Sequence, residues 1–250
     1  MKSLFFIVVL FVALFVKAQD VTMLIADGLK CEQQLKDTQA IKKYIQALSI
    51  QPSNIKAAIK CAEMSCSIGA RQVNENSKRK YYTDAKNYID AALKLSPEDA
   101  DANYITALVY DQLTGLENST EKTAEYIKNT KMYADKALTI NPNHGRAWHI
   151  IGKWYYEVLN LNSVKKAAIK LLYGGLPKAT IEDAIAAFEK CKTLEPYFAV
   201  NYLEMARTYY YNNQYEKTLT ALEQCIKCPS LSSNDRAIKE EAKQLLAKWQ

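Results

Sequence analysis

Two cations and a group of tyrosines are the residues of this 250-residue chain best suited to chemistry. Lys153 and Arg207, with Tyr104, Tyr156, Tyr210, Tyr211 and His149, make a set fitted to hold an acidic or C-terminal carboxylate ligand. Cations neutralise a carboxylate, and tyrosines supply rigid amphipathic area at low entropic cost. The chemistry is recognition rather than reaction. The sequence has no G-x-S-x-G, no Walker loop and no H-E-x-x-H. His144 and His149, the only histidines, are five apart and so miss the i, i+4 stacking of a helical zinc pair. Cys225 and Cys228 have C-x-x-C spacing, but at the end of a predicted helix, where the dipole opposes a thiolate. Proline follows Cys228 where a c-type haem would need histidine. Neither an enzyme nor a metal or other cofactor is expected.

The elements that must position these side chains are read from a repeat. Pro52, Pro97 and Pro142 are about 45 residues apart, and Pro196 and Pro229 follow. Five residues before the first four stand Ala47, Ala92, Ala137 and Cys191; twelve before stand Ala40, Ala85, Thr130 and Ala184. Ten after stand Ala62, Ala107, Gly152 and Ala206. Small residues at fixed offsets mark close helix crossings, and proline marks where each second helix stops. This predicts an all-α, TPR-like solenoid of helical hairpins over about 21–51, 53–95, 98–140, 143–195 and 197–228. A capping helix over about 233–248, started by Ser232 with Asp235, covers the last hairpin. In such an array the first helix of each hairpin lines a concave groove. Counting from the prolines puts Tyr104, His149 and Leu203 in one row, Leu108, Lys153 and Arg207 in the next, then Asp111, Tyr156 and Tyr210.

The second and third hairpins carry extra polar residues, Gln72–Lys80 and Gly115–Lys122. The fourth carries about 20 more, Leu159 to Thr180. Its Val164–Leu172 stretch has amphipathic helical spacing, with Lys165, Lys166 and Lys170, and ends at Gly174-Gly175-Leu176-Pro177 before the cap Thr180-x-x-Asp183. The expectation is that Val164, Ala168, Leu171 and Leu172 bury against the neighbouring hairpin. A membrane-surface role for this helix is the second reading.

The N-terminus reads as an export signal: Met1-Lys2-Ser3, an apolar run from Leu4 to Val16, then Lys17-Ala18-Gln19. The run is shorter than the roughly 20 residues a membrane span needs. Cleavage after Ala18 would give a periplasmic or secreted chain starting at Gln19; an uncleaved anchor is the alternative. Without Lys2 and Lys17 the net charge falls from +6 to +4, too mild for a nucleic-acid partner. Despite export, Cys61, Cys191 and Cys225 read as small core residues, whereas Cys31 and Cys66 are left open between a pair and free thiols.

One more pattern runs through Asn141-Pro142-Asn143-His144, His149 to Val158, Ala167 to Gly174, and Pro177 to Ala184. It continues in Phe188-Glu189-Lys190, Leu194 to Phe198, Asn201-Tyr202-Leu203, Asp235 and Glu241 to Leu246. Over these residues, about three quarters of the chain, the sequence resembles the regulator of microtubule dynamics protein family. The resemblance implies a TPR-like helical domain with no catalytic residues to carry over. It implies association with microtubules in eukaryotic members and, in one anchored member, with organelle contacts and lipids. An exported relative would share the domain without the microtubule role. The leading expectation is therefore an exported adaptor that binds a protein or peptide in its groove.

Overall fold

A computed structural model describes residues 19–175 and 178–249. The expected export signal, residues 1–18, lies outside them. The described residues form helices and no strand: α1 (19–33), α2 (Asp37–Ile50), α3 (Ile55–Ala70), α4 (Glu75–Leu95), α5 (Ala100–Thr114), α6 (Thr120–Ile140), α7 (Gly145–Leu159), α8 (Ser163–Tyr173), α9 (Ile181–Leu194), α10 (Ala199–Tyr211), α11 (Tyr215–Lys227) and α12 (Asp235–Trp249). The chain is an all-α, TPR-like solenoid. Hairpins α3–α4, α5–α6, α7–α9 and α10–α11 stack in order, with α1–α2 at one end and α12 on α11 and α10 at the other.

Local chemistry starts most of these helices. The side chains of Asn54, Asn74, Asp99, Ser119 and Asn162 accept from the backbone N–H three residues on. His144 Nδ1 does the same for Ala147 at 3.1 Å. Thr180 and Asp183 form the expected reciprocal capping box. The last helix begins at Asp235, whose carboxylate accepts from the Ser232 and Leu231 N–H groups. Helices α2, α4, α6 and α9 each end two residues before a proline, because the residue preceding proline is driven out of the helical region. Leu35 and Asn213 take left-handed turns (φ 58° and 56°) inside the first and last hairpins.

The turns after Pro97, Pro142 and Pro196 are then locked by a device the small-residue pattern did not announce. Six residues beyond the proline, a side chain on the next helix donates to the proline carbonyl. Asn103 Nδ2 reaches Pro97 O at 3.0 Å, Trp148 Nε1 reaches Pro142 O at 2.9 Å, and Tyr202 OH reaches Pro196 O at 2.9 Å. Three different donors do one task, so residue identity hides the repeat.

The two helices of a hairpin cross where small residues meet. Ala40, Ala47, Ala85, Ala92, Ala107, Ala137, Ala184, Cys191 and Ala206 have no exposed surface. Glycine brings three pairs closer still: Gly28 lies against Tyr44, Gly69 against Tyr82 and Gly152 against Phe188. A Cβ on Gly152 would stand 2.8 Å from the Phe188 ring. Gly152→Ala is therefore expected to cost about 1–3 kcal/mol through overpacking. Gly115→Ala, where a Cβ would meet nothing nearer than 3.7 Å, should be close to neutral. Thermal unfolding of the two variants checks this.

The insert helix α8 packs on α6 and turns a different face inward from the expected one. Ile169 is the residue it buries, with Ala124, Ile127 and Trp154, whereas Val164 and Leu171 are exposed. The Leu172 side chain, expected in the same face, lies outside what the structure describes. The hydrophobic spacing is satisfied by more than one rotation of so short a helix, and the Trp154–Ile127 surface selects Ile169.

Candidate functional site

The first helices α1, α3, α5, α7 and α10, with α12, enclose a cavity of about 510 Å³ on the inner side of the solenoid. Its wall carries seven carboxylates and three cations, with Tyr104, His149 and Phe198 between them. Two chains of ion pairs run along this wall. In one, Lys60 Nζ bridges Glu32 (3.1 Å) and Glu63 (2.7 Å), and Glu63 accepts from Arg146 at 3.0 Å. Arg146 then lies over the Phe198 ring, 5.2 Å from its centre. In the other, Lys153 donates to both Asp111 oxygens (2.9 and 2.7 Å) and pairs with Glu157 at 3.4 Å. Arg207 joins Glu204 to Glu241 of α12. Every hairpin is thus tied to another or to the cap by charge.

These pairs change what Lys153 and Arg207 can do. Where the sequence suggested cations for an acidic ligand, the fold already pairs both with carboxylates of its own. Burial opposes the Lys153 charge, but Asp111, Glu157 and Glu204 hold its ammonium well above its ordinary range. Burial, opposed by Arg207 and Lys153, pushes the Glu204 carboxyl up.

His149 lines the cavity but is itself buried. One ring nitrogen, Nδ1, lies 3.1 Å from Asn201 Oδ1, while Asn201 Nδ2 donates to Phe188 O. That arrangement assigns the proton to Nδ1. Burial, with the nearby Lys153 and Arg146 charges, lowers its pKa to about 4. His149 is a packing residue that presents a neutral edge. Leu203, expected beside it, lies wholly in the core. Tyr104 faces the cavity and contacts the His144 ring, 4.7 Å between centres.

Tyr156, Arg207, Tyr210 and Tyr211 do come together, at a second recess of about 470 Å³ near the end of the solenoid. Tyr215, Asn213, Leu245 and Trp249 complete it. Tyr210 stacks on Trp249 at 4.0 Å, and Tyr211 meets Tyr156 edge-on at 5.8 Å. Tyr211 and Tyr215 are about half exposed. The repeat pattern stopped short of α12, so nothing in it pointed to Trp249.

The two ends of the chain meet across the cavity. Ser233 Oγ donates to Asp37 Oδ1 (2.8 Å) and to Leu35 O (3.1 Å). Arg71 pairs with Asp37 at 2.8 Å and donates to Asn234 Oδ1 at 2.5 Å; Ser67 also donates to Asp37 at 2.8 Å. Burial works against the Asp37 charge, but the hydrogen bonds from Ser233, Ser67 and Arg71 hold its carboxyl below the usual range. Contacts spanning nearly 200 residues leave no local pattern in the sequence.

All six cysteines are free. Burial pushes the Cys61, Cys191 and Cys225 thiols up to about 12, as befits small core residues, and raises Cys228. Among the described residues no group of three or more His, Cys, Asp or Glu is placed to hold a metal ion, and no helix is long and apolar enough to cross a membrane.

Comparison with known proteins agrees with this architecture. The family described as Regulator of microtubule dynamics protein 1-3 matches residues 22–250. The chain belongs to this family. The Caenorhabditis elegans regulator of microtubule dynamics protein 1 is 28% identical over 188 residues, 75% of this chain and 80% of its own length. The rat regulator of microtubule dynamics protein 3 is 26% identical over 182 residues, 68% of this chain but 36% of its own. The chain therefore spans only about a third of that longer relative. Among solved structures, a thermophilic TPR protein of Thermus thermophilus superposes with a TM-score of 0.66 at 12% identity, over 90% of this chain and 99% of that one. Pseudomonas aeruginosa pilF superposes at 0.52 and 16% identity, over 93% and 90%. At these identities the likeness is one of fold. A helical-repeat scaffold is what the family and the fold share.

Two outcomes follow for this family member. His149 is neutral in the folded state down to about pH 4, whereas an unfolded histidine takes its proton near 6.5. The stability this contributes is complete above about 6.5 and is lost as pH falls towards 4. His149→Gln should remove that dependence, so the free-energy gap between the two proteins should shrink by up to roughly 3 kcal/mol between neutral pH and pH 4 in denaturant titrations. Arg71→Met leaves Asp37 without its cation and should cost about 2–4 kcal/mol. Amide exchange should quicken first around residues 35–37 and at the start of α12.

Proposed function

We propose that this protein is an exported, non-enzymatic adaptor that holds a protein or peptide partner on the inner side of its solenoid, at the tyrosine-lined recess. One observation carries the reading. The wall charges are paired among themselves, while Tyr211 and Tyr215 stay half exposed beside Tyr156, Tyr210 and Trp249. Exposed rings held rigid by their neighbours give contact area at small entropic cost, which is how recognition surfaces are built. A partner for such a place offers flat apolar groups and hydrogen-bonding carbonyls rather than strong negative charge. The export component rests on the N-terminal sequence, Met1 to Ala18.

The cytoskeletal reading has one support, the names of the relatives, and it requires that the N-terminal segment is retained. A single experiment separates the two. The tagged full-length chain is crosslinked in its own cells, recovered, sequenced from its N-terminus, and its captured proteins are quantified. A start at Gln19 with envelope proteins fits the exported adaptor; a retained Met1 with tubulin fits the cytoskeletal role. The double variant Tyr211→Ala, Tyr215→Ala should lose its specific partner at least about tenfold while keeping its helicity. Capture at the wild-type level would remove the recess from the proposal.

A further inference from the structure

Helix α8 presents an apolar strip that none of the described residues covers. Val164 and Leu171 are 67% and 86% exposed. They are seven residues apart, so at 3.6 residues per turn they lie on one face, with Ala167 and Ala168 at its edges. The residue α8 buries, Ile169, lies on the opposite side, roughly 150° around the helix. Packing against α6 therefore does not compete with the strip; it holds the strip outward.

Charge says what the strip suits. From Val158 to Ile181 the sequence carries Lys165, Lys166, Lys170 and Lys178 and no aspartate or glutamate. Lys165 and Lys170 flank the strip at about 100° to either side. Lysines so placed can lay their methylene stems along an apolar surface and carry their ammonium groups to phosphate level. The helix ends sharply, because Gly174 and Gly175 take positive φ (73° and 108°). Eleven residues are too few to span a bilayer but enough to lie in its interface.

We propose that α8 docks this protein on an anionic lipid surface, with Val164 and Leu171 entering the headgroup–acyl boundary and Lys165 and Lys170 on lipid phosphates. This goes beyond the adaptor reading and uses a different part of the molecule.

The test is co-flotation of the full-length protein, recovered from its own cells after any processing, with two kinds of vesicle. One is phosphatidylcholine alone; the other is phosphatidylcholine with phosphatidylglycerol. The wild type should float with the anionic vesicles, weaken with added salt, and leave the neutral vesicles largely unbound. Lys165→Gln with Lys170→Gln should lower anionic binding roughly tenfold or more. Val164→Ser with Leu171→Ser should lower it comparably and leave the melting temperature unchanged, since both residues are exposed. Equal flotation of wild type and both double variants, or equal binding to neutral vesicles, would overturn the proposal. So would absence of flotation with α8-dependent capture of a protein instead. Partner capture at the recess should persist in both α8 variants, which keeps failure here distinct from failure of the adaptor reading.

Discussion

The structure depends on how closely two helices can approach when one offers no side chain. Gly28, Gly69 and Gly152 each receive a ring, Tyr44, Tyr82 and Phe188, at distances a single methyl would forbid. Alanines and Cys191 do the same work at the other crossings. Close packing of this kind fixes the angle within each hairpin, and the angle, repeated, bends the array until its first helices face a common interior.

Once that interior exists, its electrostatics follow. Carboxylates gathered on a concave wall repel one another and lose water, so each must find a hydrogen-bonding partner or a cation. Lys60, Arg71, Arg146, Lys153 and Arg207 meet that need, and every one bridges different helical units. The same residue types that look available for a ligand in the sequence are thereby committed to curvature. Rings outnumber charges only beside α12, where Tyr156, Tyr210, Tyr211, Tyr215 and Trp249 gather. Closure through Asp37, Ser233 and Arg71 adds a constraint open solenoids lack: movement of the cap must be felt by the first hairpin.

Much of the fold was legible because its signals are local. The prolines mark the ends of α2, α4, α6 and α9, since the residue before a proline leaves the helical region wherever it stands. Thr180 and Asp183 mark the start of α9 because a capping box closes within four residues. The offset counting brought Tyr104, Lys153 and His149 to the inner wall, because a repeat preserves which face looks inward. It failed for Leu203, which packs into the core of the last hairpin, and it had no means of weighing pairs. Asp111 and Lys153 lie 42 residues apart, and nothing in their spacing announces that one neutralises the other.

By itself the sequence determined the helices, their order, their crossings and the family. Each of these is set by neighbours along the chain or by a periodic choice of small residues. Only the tertiary structure decided which charges are spent, which face of α8 turns outward, and that the two ends join around a cavity. Those outcomes rest on contacts between residues as far apart as Leu35 and Ser233. Such contacts come from the accumulated rotation of five hairpins, a sum over the whole chain that no local pattern contains.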